Sequence, residues 1–254
     1  MVTVTSHATA RSLERLYGVA RTTFPVVHLS AIHHTPARSA SPPAAEGAWQ
    51  AGPYLLCPAN TSIHKNHDVL LSGYAEWGAK LPLVLTGTGT DFLRGPRTTQ
   101  RARHLNDLAT RLHLDETRII GLGYISDERY FSLLQRCHAV VMPTLAEGGG
   151  SFPVAEAVQA GIPVVCSDIP VMREAMEIFG GSPLWFDPHR SHALATALRT
   201  LEQNYGDLRR AAASCNTASS RRWRDVAEDY LTLFRRAPSA DNEAFTRAPS
   251  RRAE

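Results

Sequence analysis

Short apolar runs at residues 25–29, 54–57, 83–86, 118–121, 139–142 and 163–166 recur along the chain, with helix-period patterns at 67–78, 100–112 and 127–136 between several of them. Runs this short, apolar throughout rather than alternating, are what a strand buried on both faces looks like. Strands separated by helical crossovers pair in parallel. The expectation is an α/β fold: a Rossmann-like parallel sheet with helices on both faces. The chain of 254 residues is long enough for one large or two small domains. The stretch 34–52, HTPARSASPPAAEGAWQAG, is rich in Pro, Ala and Ser without periodicity and reads as a linker. Before it, residues 1–33 hold a helix-like pattern at 8–17 and the first apolar run, too little for a domain. The main domain is expected over 53–235, and 236–254 turns to Pro, Ser, Arg and Asp, the composition of a disordered tail.

Composition removes several functions. A hydrophobic fraction of 43% is ordinary for a soluble globular chain, and no apolar run is long enough to span a bilayer. No secretory signal opens the sequence, so a cytoplasmic location is expected. The net charge of +3 is small, and the arginines are scattered or gathered near the C-terminus instead of interleaved with aromatics, so nucleic acid is not an expected partner. Cys57, Cys137, Cys166 and Cys215 lie far apart and read as reduced thiols. His64 and His67 have no carboxylate or cysteine cluster beside them, so no metal site is expected.

The chemistry concentrates in EGGGSFPVAEAVQAGIPVV, residues 147–165. Gly148, Gly149 and Gly150 free the backbone to take positive φ and approach a ligand, Ser151 can cap the helix that follows, and Pro153 fits its first turn. Gly161 stands where a left-handed cap ends that helix. A glycine-rich loop feeding a helix N-terminus presents backbone N–H groups and a positive dipole end, which suits a phosphate. Glu147 and Glu156 flank the loop, and a carboxylate can accept paired hydrogen bonds from vicinal hydroxyls. The TGTGTD loop at 86–91 lacks the third glycine of a dinucleotide fingerprint and reads as a tight turn.

With these motifs in order, YLLCPANTSIHKNHDVLL, LPLVLTGTGTD, RIIGLGYISDERYFSLLQRCHAVVMPTLAEGGGSFPVAEAVQAGIPVVCSDIPVMREA, PLWFDP and RRWRDVAEDYL, the chain resembles the C-terminal, donor-binding half of a family-four (group 1) glycosyltransferase of GT-B architecture. The opening VTSHATARSLERLYGV resembles the segment that closes such an enzyme's N-terminal domain, which makes residues 1–33 a remnant of an acceptor domain. The resemblance implies retaining transfer of a sugar from a nucleotide sugar to a glycan or lipid-linked acceptor in glycan biosynthesis. The nucleotide sugar is a substrate, and no cofactor is implied. It implies that Lys65 meets the donor diphosphate, Glu147 the sugar and Glu156 the ribose. Gly148, Gly149, Gly150, Ser151 and Phe152 then border the donor, as do Gly87 and Gly89, while Tyr124 and Ile125 lie beside the base. EGGGSFPVAE leaves one residue more between its glutamates than is usual in the family, which makes Glu156 the firmer assignment, and Asn60 stands where many relatives carry an arginine. The HKNH string ranks a GDP-mannose-like donor above a UDP-sugar. Glu174 matches a recurrent family glutamate of structural role, and Trp223 and Tyr230 read as packing residues. The implied partners are a separately encoded acceptor-binding domain and, through the acceptor, the inner face of the membrane. A non-catalytic nucleotide-sugar-binding module and a sugar-nucleotide epimerase are the alternatives.

Overall fold

The computed structural model describes residues 2–30, 48–95, 98–215 and 221–236. In chain order these form α1 (His7–Tyr17), β1 (Leu55–Pro58), α2 (His67–Glu76), β2 (Leu83–Thr86), α3 (Gln100–Arg111), β3 (Ile119–Gly121), α4 (Asp127–Arg136), β4 (Ala139–Met142), α5 (Phe152–Gln159), β5 (Val164–Ser167), α6 (Pro170–Phe179), β6 (Leu184–Phe186), α7 (Ser191–Gln203), α8 (Tyr205–Cys215) and α9 (Trp223–Arg236). The strands make one parallel sheet in the order β3-β2-β1-β4-β5-β6, with Leu55 of β1 registered between Leu83 and Ala139. This is the doubly wound order, in which the chain builds outward to one edge and then returns to build toward the other.

All positions of β2, β4 and β5 are buried, so both faces of the sheet are covered. Helices pack around it, α2 against α3 and α7, and α5 against α6 and α8. The apolar runs from 54 to 166 become β1 to β5 with ends shifted by a residue or less. The sixth strand was not among them: β6 is three residues long, and its Trp185 is half-buried under the Arg173 guanidinium, 4.2 Å from the ring centre.

The first apolar run does not become a strand of the sheet. Residues 25–29 form only an isolated parallel bridge, Val4 to Val26, through Val4 N–H to Pro25 C=O (3.0 Å) and Val27 N–H to Val4 C=O (2.9 Å). Pro25 has no N–H to extend a ladder, and the segment has one short partner. Most of the expected linker, residues 34–47, lies outside the described residues; its end forms a 3-10 turn, Ala48–Ala51, with Trp49 edge-on to Tyr54. The expected tail lies outside the described residues from 237 onward.

The N-terminal helix docks on the sheet domain through polar contacts. Ser6 caps α1 by accepting the Thr9 N–H (3.0 Å), and the Glu174 carboxylate on α6 accepts the N–H groups of His7 (2.6 Å) and Ala8 (2.9 Å). A carboxylate there both satisfies orphan donors and meets the positive end of the helix dipole. His28 Nε2 lies 2.8 Å from the same carboxylate, and these contacts hold it below the usual glutamate range. Glu174 is thus structural, as its sequence context implies.

Candidate active site

In this strand order β1 and β4 are neighbours whose following loops run to opposite sides, which opens a crevice at their C-terminal ends. Two stitches fix the crevice. The His64 C=O accepts the Leu145 N–H (2.7 Å) and the Thr144 hydroxyl (3.1 Å). Asn66, left-handed at φ 58°, donates its amide to the carbonyls of Pro143 (2.9 Å) and Pro188 (2.8 Å). Asparagine tolerates that backbone better than most residues. Between the stitches, Lys65 from the β1 loop meets Glu147 from the β4 loop, Nζ to Oε1 2.5 Å, with side chains only 17% and 12% exposed. Sequence reasoning named Lys65 and Glu147 separately without pairing them, and it missed Asn66 and Thr144; the asparagine after Lys65 was the available signal.

Along the glycine loop the structure corrects two expectations. Of the three glycines only Gly150 has positive φ, at 97°. Gly149 is required for space, since a Cβ there would stand 2.6 Å from the Thr5 hydroxyl, and the Gly148 carbonyl accepts hydroxyls from Ser6 (2.9 Å) and Thr9 (2.5 Å). Ser151 occupies the N-cap of α5 but makes no side-chain capping bond. The first N–H groups of α5 thus receive no bond from the Ser151 side chain, and a helix N-terminus of this kind suits an anion. Pro153 sits in the first turn as expected, and α5 closes with Gly161 N–H to Val158 C=O and Ile162 N–H to Ala157 C=O, the paired bonds of a Schellman cap. Phe152 is 37% exposed at the helix entrance, and Trp223 of α9, itself 43% exposed, tilts over it. Trp223 is therefore not a core residue. In α9 only Val226 is buried, since one face of the helix has no described neighbour to pack on.

Glu156 is buried on α5 and accepts the Tyr130 hydroxyl of α4 at 2.6 Å. Burial, and then the Glu156 charge, push the Tyr130 phenol far up, so it stays a donor. The loops after β1, β2 and β3 interlock on the other side of the crevice. The Gly87 N–H donates to the Gly123 C=O (2.7 Å), and a Cβ at Gly87, φ 117°, would lie 2.8 Å from the Asn60 nitrogen. Gly89 faces the Thr61 hydroxyl as closely. Tyr124 is 83% exposed at the end of β3, whereas Ile125 packs partly on the core. Asn60 accepts the Ser62 N–H (3.0 Å) through its side chain and so forms a turn.

His67 is fully buried at the start of α2, and neither ring nitrogen makes a well-formed hydrogen bond among the described residues, the Ala59 backbone giving only a weak contact. Burial, then the Arg101 charge, push its pKa down to about 4, so it is a neutral core residue. Cys57, Cys137 and Cys166 are unpaired and buried, and burial pushes the first two up to about 12. Among the described residues the histidine, cysteine and carboxylate groups that converge in threes are His7, His28 and Glu174, where Glu174 already serves α1.

A crevice at the β1–β4 switch point holding a buried ion pair, a glycine loop and an open helix entrance is a frame for a phosphate and a polyol. Residues 44–217 match the family of glycosyl transferases group 1. The chain belongs to that family. Its group 1 match covers the whole sheet and leaves α1 outside. It is 31% identical over 165 residues to O-antigen chain mannosyltransferase B of Escherichia coli, covering 62% of this chain and 38% of that protein. It is 25% identical over 150 residues to O-antigen chain mannosyltransferase RfbU of Salmonella typhimurium, covering 59% of this chain and 38% of that one. The matched region thus spans well under half the length of these relatives. Among solved structures, HepE from Anabaena in complex with UDP and glucose superposes with a TM-score of 0.72 at 18% identity, over 93% of this chain and 63% of that one. A glycosyltransferase from Rickettsia africae gives 0.70 at 15% identity, over 92% and 62%. The fold is that of the GT-B glycosyltransferases.

Proposed function

We propose that the chain is the donor-binding half of a retaining glycosyltransferase, which binds a nucleotide sugar along the C-terminal edge of its sheet. The observation that carries this is the Lys65–Glu147 pair at the β1–β4 switch point, with Glu147 in the loop that leads into α5. Lys65 takes the donor diphosphate together with the α5 N-terminus, and Glu147 accepts hydroxyls of the sugar. Glu156, held by Tyr130, accepts the ribose hydroxyls, and Tyr124 offers its exposed ring at the base end. As the glycosidic bond opens, charge builds on the leaving diphosphate, and an ammonium already in place stabilises it; such groups are commonly worth about 3 kcal/mol. No protein nucleophile is required, because the departing phosphate can accept the acceptor proton.

A GDP-mannose-like donor ranks first, supported by the mannosyltransferase relatives; a UDP-sugar ranks second, supported by the HepE complex with UDP. An acceptor-binding half, on this or another polypeptide, completes the cleft in this reading. Among the described residues no helix is long and apolar enough to cross a membrane, so a lipid-linked acceptor would be met at the bilayer surface. The test is incubation with GDP-mannose and with UDP-glucose, with and without a candidate acceptor half, followed by the anomeric configuration of the product. Retained configuration supports the proposal, and inversion contradicts it. Nucleotide binding without transfer under any pairing identifies a binding module instead.

A further inference from the structure

A second cavity wall meets this site from the N-terminal side. Between α1 and the loop after β4 lies a cavity of about 700 Å³, within the usual range of ligand sites. One wall carries Arg11 and Arg15 of α1 and Arg21 just beyond it; the other carries Glu147 and Gly148. The charges do not cancel. Glu147 is matched by Lys65, and Arg11 leans toward Glu174 at 4.0 Å. Glu14, also in the wall, accepts the Arg21 backbone N–H (3.3 Å), and neither Arg15 nor Arg21 has an ion pair among the described residues. The wall is also held in place, since Ser6 and Thr9 anchor α1 to the Gly148 carbonyl across the cavity floor.

We propose that this cavity receives the acceptor, and that the acceptor carries a phosphate or diphosphate gripped by Arg11, Arg15 and Arg21. Guanidinium forks bind phosphate oxygens in pairs, and several of them around one volume suit a multiply charged anion better than a neutral glycan. The proposal rests on reading Glu147 as the donor-sugar contact, because that residue is shared by both sites and would place the acceptor beside the reacting carbon. The arginine wall lies outside residues 44–217, so it belongs to the part of this chain that the family match does not describe.

Calorimetric titration of the full chain with inorganic pyrophosphate, and separately with GDP and UDP, tests it. The wild type is expected to bind two pyrophosphates, one at Lys65 and one in the cavity. Arg15→Gln/Arg21→Gln, at two exposed positions whose loss does not threaten folding, is expected to lose the second, weakening it at least tenfold while leaving nucleotide affinity unchanged. Lys65→Ala is expected to lose the first and to weaken the nucleotide. A sugar 1-phosphate and a short prenyl-diphosphate sugar then separate the sources, the tighter one marking a free or a lipid-linked acceptor. The same pyrophosphate stoichiometry and affinity in the wild type and the arginine variant would overturn the proposal. Failure of the donor reading shows separately, as absence of nucleotide binding to the wild type.

Discussion

The Lys65–Glu147 pair can be weighed with a double-mutant cycle, Lys65→Met and Glu147→Gln, read by urea unfolding. Two unit charges 2.5 Å apart attract by about 6 to 7 kcal/mol at an effective dielectric near 20, and desolvation offsets several kcal/mol of that. Exposed pairs couple by up to about 1 kcal/mol, and breaking a fully buried one costs about 3 to 5. With side chains about one-sixth and one-eighth exposed, a coupling of about 2 kcal/mol is expected here. Salt should change it little, since the pair sits largely out of the ionic atmosphere. A second readout has an unusual sign. Glu147→Gln frees the Lys65 ammonium, so a nucleoside diphosphate lacking sugar should bind the variant about tenfold tighter than wild type, a gain of about 1.4 kcal/mol. The extra affinity that the sugar adds should disappear at the same time. A coupling below about 0.5 kcal/mol that vanishes in salt would place the pair among ordinary surface contacts. A variant that binds the free nucleotide more weakly would refute the account of Glu147 as the partner that a donor must share.

Four further outcomes follow from other contacts. Glu156→Ala should cost about tenfold in affinity for a ribonucleotide and nothing for its 2′,3′-dideoxy analogue, whereas Tyr130→Phe should lower stability by about 1 to 2 kcal/mol through loss of one hydrogen bond to a buried carboxylate. Calorimetry with both nucleotides checks the first, and equal losses for both would refute it. Gly87→Ala must push its Cβ against the Asn60 backbone while holding φ at 117°, so the urea midpoint should fall by the equivalent of about 2 to 4 kcal/mol. For pH, His67 has a folded-state pKa of about 4, below its ordinary value near 6.5, so between those limits the unfolded chain binds more protons. Its contribution is therefore complete above about pH 6.5 and is lost as pH falls toward 4, by about 3 kcal/mol in all. Unfolding of His67→Leu should show a flatter dependence across that window; an unchanged slope would contradict the assignment.

The sheet was legible from the sequence wherever a strand is apolar on both faces, as in β2, β4 and β5, because burial alone dictates such residues. It was not legible in β6, where three residues carry too little pattern, or at 25–29, where an apolar run looks like a strand whether or not a partner exists. The resemblance assigned Lys65 and Glu147 separately to the donor, and neither their direct contact nor what brings the two together was legible. Asn66 and the His64 carbonyl act through groups more than seventy residues away in sequence, and nothing local marks those partners. The docking of α1 on Gly148 and Glu174 joins residues about 140 and 170 apart in the same way. Glycine identity also underdetermined its use: Gly150 turns the chain, whereas Gly149 clears room for Thr5.

The central claim is that Lys65, Glu147 and Glu156 hold a nucleotide sugar, and a thermal-unfolding panel of GDP-, UDP- and ADP-sugars tests it most directly. At a hundred times its dissociation constant the right donor adds about 2.7 kcal/mol to stability. Such a shift is expected with a GDP- or UDP-sugar, strongly reduced in Lys65→Ala and Glu156→Ala. No shift with any nucleotide sugar, or one that both variants keep in full, would contradict it.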